Sequence, residues 1–397
     1  MRIFVAGATG AIGRHLVPLL ISSGHEVVGT TRSARKATEL CALGAQARVL
    51  EVLDPEAVGR AVSEAAPEVI VHQATALADA GSNLRNFDKA FAATNELRTI
   101  GTDNLLAAAR AVEVRTFVAQ SFAGWPYARE GASLKSEDDA LDPRPPGNAA
   151  ETLAAIRHLE ESVVGADWLD GIALRYGGFY GPGTSVSDGG EVVDAIRKRR
   201  FPVIGSGAGL WSFIHIEDAA RATLAAVERG RRGIYNVVDD EPAPASEWLR
   251  YLAHAVGAKP PRRVPMWLGK LLAGDQLVSM MTETRGALNA KAKRELGWQP
   301  LYPSWREGFV NGLGAREVKQ LKSAASREST AGPASYCSAG ESEANDCSQP
   351  TFTSIAPTSR IATAISRPIS RIASVSRPGA RFPRSSPRSR SSRSIST

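Results

Sequence analysis

A glycine-rich turn joins the first strand-like segment of the chain to its first helix-like segment. Residues 2–6 form an apolar run of strand length, and apolar residues recur at helical spacing after residue 12. The connection reads Gly7-Ala8-Thr9-Gly10-Ala11-Ile12-Gly13. Gly7 permits a tight turn, Gly10 lets the backbone approach a pyrophosphate, and Gly13 lets the helix lie close to the strand. This succession predicts a dinucleotide site whose phosphates bind the free amides at the helix N-terminus.

The residues after the second strand-like segment, 26–30, favour one cofactor. An acid at this point would bind the ribose 2′-hydroxyl of NAD, but the chain has Arg32 there, followed by Arg35 and Lys36. Their positive charge would stabilise a 2′-phosphate. We therefore expect NADP(H) to be favoured over NAD(H), with Arg32 in contact with the phosphate. The alternative is that Arg35 and Lys36 are only exposed residues in the first turn of the next helix.

Strand-like and helix-like segments continue to alternate along the chain. Further strands are expected at 47–52, 68–72 and 115–120, and a long helix at 86–112. Asp54 followed by Pro55 is typical of a helix start, so we interpret Asp54 as an N-cap. The alternation predicts an α/β fold of Rossmann type, a doubly wound parallel sheet.

Charge and composition exclude several classes of protein. The chain carries +7, and residues 351–397 contribute nine arginines and no acid, which leaves −2 for residues 1–350. That part has no footprint of a nucleic-acid-binding protein, so nucleic acid is an unlikely partner except through the basic tail. The three cysteines lack metal-ligand spacing, and we expect no metal. Without a leader or a long apolar run, we expect a cytoplasmic protein with no membrane partner.

Eight motifs in order resemble the extended short-chain dehydrogenase/reductases, also called the NAD-dependent epimerase/dehydratases. They are GATGAIG, VIVHQAT, TNELRTIGTDNLLAAAR, VAQSFAGWPY, LRYGGFYGPG, FIHIEDAARA, GIYNVVDDEP and RELGWQP, spread over about residues 1–314. The resemblance implies that Glu51 and Val52 lie at the adenine and that Asn95 lies beneath the active site. It also implies that His215 and Asp218 form a structural pair. The residues implied at the nicotinamide, its ribose and the substrate are Gln73, Ala74, Thr75 and the segment from Tyr176 to Phe179.

The chain departs from this family at the catalytic pair. The family's Tyr-x-x-x-Lys pair moves a proton at the substrate oxygen while hydride passes to or from the nicotinamide. The corresponding helix reads NAAETLAAIRHLEESVV, which puts Thr152 and Ile156, or in a register shifted by one Leu153 and Arg157, at the two positions. Neither register contains a Tyr.

Other hydroxyl groups are therefore candidates for the chemistry. Ser121 stands where the family hydrogen-bonds the substrate oxygen, and Tyr127 follows it on the same segment. We take Ser121 and Tyr127 as the catalytic candidates, with Tyr176 and Tyr180 as other hydroxyls that could replace the missing Tyr. Each of these aromatic residues could instead only pack against substrate or cofactor, and Ser121 could act with a water molecule.

Two functions remain open at this point. The first is an NAD(P)-dependent oxidoreductase or epimerase/dehydratase-like enzyme acting on a hydroxyl or carbonyl of a small molecule. The second is a non-catalytic NADP-binding redox sensor or scaffold, which the missing pair favours. A small-molecule ligand is the expected partner in both, and we also consider a homodimer.

The organisation of the chain is expected to have three parts. Residues 1–176 would form the NAD(P)-binding domain, and residues 177–314 a smaller substrate lobe that returns some elements to the sheet. Met266, Trp267, Met280 and Met281 would give this lobe an apolar wall, or simply its core. Residues 323–397 are rich in Ser and Arg, and we expect a disordered tail. It would tether RNA or an anionic surface, or be a dispensable extension.

Overall fold

A seven-stranded parallel sheet forms the centre of the computed structural model, which describes residues 1–77 and 85–314. The tail expected at 323–397 lies outside the described residues. The strands are β1 (Arg2–Ala6), β2 (Glu26–Thr31), β3 (Gln46–Val49), β4 (Val69–His72), β5 (Thr116–Phe122), β6 (Leu134–Lys135), β7 (Asp170–Tyr176), β8 (Gly178–Tyr180), β9 (Val203–Ile204), β10 (Leu210–Trp211), β11 (Phe213–His215), β12 (Gly233–Val237), β13 (Ala243–Pro244), β14 (Arg263–Val264) and β15 (Gly286–Ala287).

Helices connect these strands and cover both faces of the sheet. They are α1 (Gly13–Ser22), α2 (Ala34–Ala42), α3 (Pro55–Ala65), α4 (Phe87–Glu96), α5 (Thr102–Ala111), α6 (Ala150–Gly165), α7 (Glu191–Arg197), α8 (Ile216–Arg229), α9 (Ala245–Ala255), α10 (Met266–Ala273), α11 (Asp275–Thr282), α12 (Ala290–Leu296) and α13 (Trp305–Asn311). Asp54 caps α3 as expected, because its side chain accepts the amides of Glu56 and Ala57. None of the helices among the described residues is long and apolar enough to cross a bilayer.

The strand order confirms the doubly wound fold. It runs β3-β2-β1-β4-β5-β7-β12, and every pairing in this sheet is parallel. From β1 the chain winds outward through β2 and β3, then returns to β4 on the other side of β1. The carboxyl ends of β1 and β4 are therefore neighbours at the point where the winding reverses. In open sheets of this kind, a crevice at that point binds the ligand.

Apolar residues fill both faces of the sheet. One face of the sheet packs against α1 and α8, which contribute Leu16, Leu20 and Ala222 to the core. The other face packs against α3, α5 and α6. A third cluster, built after residue 177, contains Phe213, Trp248 and other large aromatic residues. The chain comes back to the sheet from this region at β12, which pairs with β7. The proposed boundary at residue 176 stays a prediction.

Several elements differ from the expected bounds. β3 ends at Val49 rather than at residue 52, and β5 extends to Phe122, so that Ser121 lies inside the strand. The helix expected at 86–112 is divided into α4 and α5 by a π-helical turn, Leu97–Gly101. The Nε2 atom of His72 lies 3.1 Å from the Leu97 carbonyl oxygen in this turn. Burial lowers the pKa of His72 to about 4, so the neutral ring can donate this bond.

Candidate functional site

The glycine turn after β1 has the shape that a pyrophosphate requires. Gly7 has a φ of +84°, and a Cβ there would lie 2.7 Å from the backbone nitrogen of Ala74. A Cβ on Gly13 would lie 2.4 Å from the Ala8 carbonyl oxygen, so only glycine lets α1 approach the turn this closely. Gly10 and Ala11 are exposed at the rim, and no side chain caps α1. The free helix N-terminus and its bare rim therefore fit the phosphates of a dinucleotide.

The end of β2 lies against this turn. Thr9 Oγ1 donates to Thr31 Oγ1 at 3.2 Å, and the Gly7 amide donates to Thr30 Oγ1 at 3.2 Å. Arg32 follows directly and is exposed, at the carboxyl end of β2 where the ribose position is expected. Arg35, on α2, forms an ion pair with Glu39 at 2.7 Å.

The expected adenine and nicotinamide positions lie along the same edge of the sheet. Glu51 is exposed and Val52 is buried. After β4, Gln73 is buried, and its Nε2 donates to the Tyr176 hydroxyl at 3.3 Å. The Gln73 Oε1 atom is buried without a hydrogen-bond partner among the described residues. Ala74 and Thr75 are half-buried beside it. An unsatisfied buried acceptor at this point fits a bound ligand that brings a donor.

Thr152 stands at the position of the family's Tyr in one of the two registers, and its hydroxyl is already bonded. It donates to Asp88 Oδ1 at 2.7 Å and accepts from Asn95 Nδ2 at 3.0 Å. Asp88 also accepts the amides of Glu151 and Thr152, at 3.2 and 2.9 Å, so its carboxylate caps the first turn of α6. Sequence reasoning missed Asp88, because nothing in its segment indicates a partner 64 residues away.

In the same register, the position of the family's Lys is apolar, whereas the shifted register has Arg157 there. Ile156 is buried in a cluster that contains aromatic rings from three segments, and Phe87 meets Trp125 edge-on at 5.3 Å between centroids. The Asn95 Oδ1 atom beneath is buried without a partner among the described residues. The cluster comprises Phe87, Phe91, Phe122, Trp125, Leu141, Ala149, Leu153, Ile156 and Met280. Of the wall expected from residues 259–285, Met280 lies here, Met281 lies in the third cluster, and Met266 and Trp267 are exposed.

Ser121 and Tyr127 belong to a buried network behind this apolar cluster. Ser121, Arg175 and Asn236 stand side by side on β5, β7 and β12. Ser121 Oγ donates to Glu160 Oε1 at 2.6 Å, and Arg175 binds both oxygens of the same carboxylate at 2.7 and 2.6 Å.

Tyr127 completes the network on its other side. Its hydroxyl donates to Asn236 Oδ1 at 2.6 Å and accepts from Arg175 Nη1 at 3.0 Å. Burial raises the pKa of Tyr127, in opposition to the Arg175 charge. Burial likewise raises the pKa of Tyr176 to about 12, and the Tyr176 hydroxyl bonds Thr223 at 2.6 Å.

These contacts do not support the catalytic roles expected of Ser121 and Tyr127. Both side chains are almost fully buried, and each hydroxyl proton already has an acceptor within the protein. Sequence spacing places the two residues near each other but does not reveal Glu160 and Arg175, which hold them. His215 is structural as expected, with its Nε2 3.0 Å from the Gly312 carbonyl oxygen, and Asp218 accepts the amides of Leu301 and Tyr302.

Comparisons with known proteins agree with this architecture. The model of the NAD dependent epimerase/dehydratase family matches residues 3–238. A 3-diazoavenalumate denitrifying reductase from a Streptomyces species is 45% identical over 313 residues, which are 78% of this chain and 99% of that protein. UDP-glucose 4-epimerase of Mycolicibacterium smegmatis is 29% identical over 321 residues, 76% of this chain and 94% of the relative.

Solved structures share the fold. The UDP-glucose 4-epimerase of Thermus thermophilus in complex with NAD is 28% identical, with a TM-score of 0.60 over 79% of this chain and 98% of that one. The Thermotoga maritima UDP-glucose 4-epimerase with UDP-glucose has a TM-score of 0.63 at 22% identity, over 81% of this chain and 100% of that one, and it shows the fold alone. Together with the glycine turn and the strand order, these matches show that the chain belongs to the NAD-dependent epimerase/dehydratase family.

Proposed function

We propose that this protein is an NAD(P)H-dependent reductase whose acceptor needs hydride but no proton from the protein. The observation that carries the proposal is that α6 has no Tyr in either register and that Thr152, Leu153 and Ile156 are buried there, the last two in an apolar cluster. Reduction of a carbonyl leaves an alkoxide that must receive a proton. Thr152 is a poor source of that proton, because its hydroxyl donates to the Asp88 carboxylate.

The proposed acceptor is a small aromatic diazo compound in its diazonium form, Ar–N2+. When bound, the reduced nicotinamide supplies a hydride. In the net reaction the hydride pair forms a C–H bond at the ring carbon, the C–N bond breaks, and N2 leaves with the bonding pair. The balance requires no proton from the protein. The relative at 45% identity is by its name a reductase that removes nitrogen from a diazo compound, which supports the proposal.

The residues of this chain would bind and orient the two ligands. The amides at the start of α1 would hold the pyrophosphate, and the Gln73 Oε1 acceptor would receive a donor from the ligand. Phe91 and Phe122 are half-buried members of the apolar cluster, so they would pack against an aromatic ring and exclude water from it. Asp88 would keep α6 in place beneath it.

A turnover assay tests this function. The purified protein is mixed with NADPH and either an aryl diazo compound, a carbonyl panel or nucleotide sugars, while NADPH absorbance and N2 release are followed. We expect equimolar NADPH loss and N2 release with the diazo compound alone.

Thr152→Val should retain kcat, and Phe91→Leu and Phe122→Leu should raise KM. Phe201→Leu, a half-buried phenylalanine of the third cluster, is the matched control. Turnover of carbonyls with loss of kcat in Thr152→Val would contradict the proposal.

The second candidate function is a non-catalytic NADP-binding sensor or scaffold. It is favoured by the buried and fully bonded hydroxyls of Ser121, Tyr127 and Thr152. NADPH binding without turnover of any acceptor class would support it. Ser121→Ala and Tyr127→Phe complete the test. A loss of kcat in these variants at unchanged stability would support the catalytic roles expected of the two residues from the sequence.

A further inference from the structure

Helix α10 presents large apolar side chains to solvent. Met266, Trp267, Leu271 and Leu272 are 44%, 68%, 56% and 66% exposed, although the helix has only eight residues. Gly269 faces inward, where a Cβ would lie 2.4 Å from Ile204 Cγ2, so the backbone of α10 packs directly on the body. The helix is therefore fixed with its large side chains pointing away from the core.

Basic residues precede β9 and β14, and one residue separates the end of β14 from the start of α10. β9 and β14 are parallel, so the segments that precede each of them lie at the same end of this two-stranded sheet. Each strand has only two residues, so the distance from that end to α10 is short. Among the described residues, none of the cations in these two segments forms an ion pair, whereas Lys270 on α10 pairs with Asp275 at 3.2 Å. The exposed ones are Lys198, Arg200, Lys259 and Arg262, and Arg263, exposed at the start of β14, also forms no ion pair among the described residues. Together with the four apolar residues of α10 they form what we call the α10 surface.

We propose that the α10 surface docks on an anionic lipid bilayer. A helix that lies in the membrane interface inserts Trp and Leu side chains, while flanking Lys and Arg attract acidic headgroups. Residues 1–350 carry a net charge of −2, so their overall charge would not by itself attract an acidic surface. A second copy of the chain is disfavoured, because pairing two such faces would bring ten like charges together. The sequence expectation of no membrane partner rested on the lack of a membrane-spanning segment. A helix that lies on the surface of a bilayer does not need one.

Vesicle binding by the full-length protein tests the proposal. The chain is sedimented with vesicles of phosphatidylcholine alone or mixed with phosphatidylglycerol, at physiological ionic strength. We expect binding to the anionic vesicles only, and a loss of at least about tenfold in both Trp267→Ser/Leu271→Ser and Arg262→Glu/Arg263→Glu. Leu301→Ser, an exposed leucine outside the α10 surface, should bind like the parent protein. NADPH affinity should be unchanged in all three variants.

A second measurement separates the α10 surface from the nine arginines of residues 351–397. Brominated phosphatidylcholine included in the anionic vesicles should quench the parent protein more than Trp267→Phe, because Trp267 would enter the interface. Equal quenching in the two proteins, or undiminished binding in both double variants, would overturn the proposal. Light scattering that shows a dimer dissociated by Trp267→Ser/Leu271→Ser would also overturn it, in favour of a second copy. So would an absence of vesicle binding, or binding only to an acidic protein partner.

Discussion

At the scale of single residues, the Glu160–Arg175 pair is the most consequential contact. Both residues are almost fully buried, with 4% and 3% of their surfaces exposed to solvent, and Arg175 binds the carboxylate with two nitrogens. Removing one partner from such a pair leaves a buried charge uncompensated. Arg175→Leu should lower the free energy of unfolding by about 3–5 kcal/mol in urea titrations. Arg35→Ala, which breaks the exposed pair with Glu39, should cost less than about 0.5 kcal/mol. Equal losses in the two variants would contradict this view of the network.

His72 makes stability depend on pH. Its pKa in the folded protein, about 4, lies below the ordinary value of 6.5, so protonation favours the unfolded chain. The contribution of the neutral ring is complete above pH 6.5 and is lost as the pH falls towards 4. The loss amounts to about 3 kcal/mol in all and about 1 kcal/mol between pH 7.5 and 5.5. His72→Gln should unfold with a correspondingly weaker pH dependence over that interval. Since burial also lowers the pKa of His215, the difference between variant and parent is the informative quantity. Parallel pH profiles would show that His72 is not the source.

Arg32 is the residue on which cofactor choice is proposed to depend. We expect NADPH to bind more tightly than NADH, because a 2′-phosphate would meet the Arg32 charge at the carboxyl end of β2. Arg32→Asp should reduce or reverse the difference in fluorescence titrations of the two cofactors. Arg35→Asp is the matched control, since Arg35 is engaged with Glu39. Equal affinities for the two cofactors in the parent protein would rule the proposal out.

At the scale of elements, α1 carries an internal defect. Pro18 lies inside the helix, which nevertheless runs unbroken from Gly13 to Ser22. A proline here removes one helical hydrogen bond and crowds the preceding turn. Pro18→Ala should therefore raise the free energy of unfolding by about 1–3 kcal/mol. Gly59→Ala in α3, where an added Cβ has nothing within 4 Å, should raise the free energy of unfolding by only about 0.5–1 kcal/mol. This variant is the control, because it changes helix propensity without adding a contact. A Pro18→Ala gain no larger than that of Gly59→Ala would mean that α1 has absorbed the proline without cost.

Elements were easier to foresee from the sequence than the contacts between them. The Gly7–Gly13 turn and the Asp54 cap depend on neighbours in the chain, so local chemistry predicts them. Sequence reasoning also indicated that the helix expected to carry the catalytic pair contains no Tyr, with Thr152 and Ile156 or, one residue on, Leu153 and Arg157 at the two positions. It could not show that Asp88 caps α6 or that Ser121 donates to Glu160, because these partners are 64 and 39 residues apart. The break at Leu97–Gly101 was missed as well, because the apolar pattern across it still resembles one helix.

At the scale of the whole molecule, residues 323–397 are expected to be separable from the rest. The relative at 45% identity is matched over 99% of its length by 78% of this chain, so a family member exists without a counterpart of the remainder. Deleting residues 323–397 should leave the Tm and the NADPH affinity nearly unchanged. Differential scanning calorimetry and fluorescence titration of the two proteins measure this directly. A fall of several degrees in Tm would show that the tail packs against the rest.

The π-helical turn at Leu97–Gly101 sets a limit on how this chain can change its length. Each backbone hydrogen bond of a π-helical turn spans one residue more than a hydrogen bond of an α-helix. The turn therefore acts as a one-residue insertion that rotates α5 relative to α4. The rotation lets α4 face α6 while α5 faces α3. Deleting a single residue here would turn α5 by about 100° and swing the buried Leu105 out of its place. We therefore expect the Leu97–Gly101 segment to reject a single-residue gap, whereas the exposed connections tolerate one.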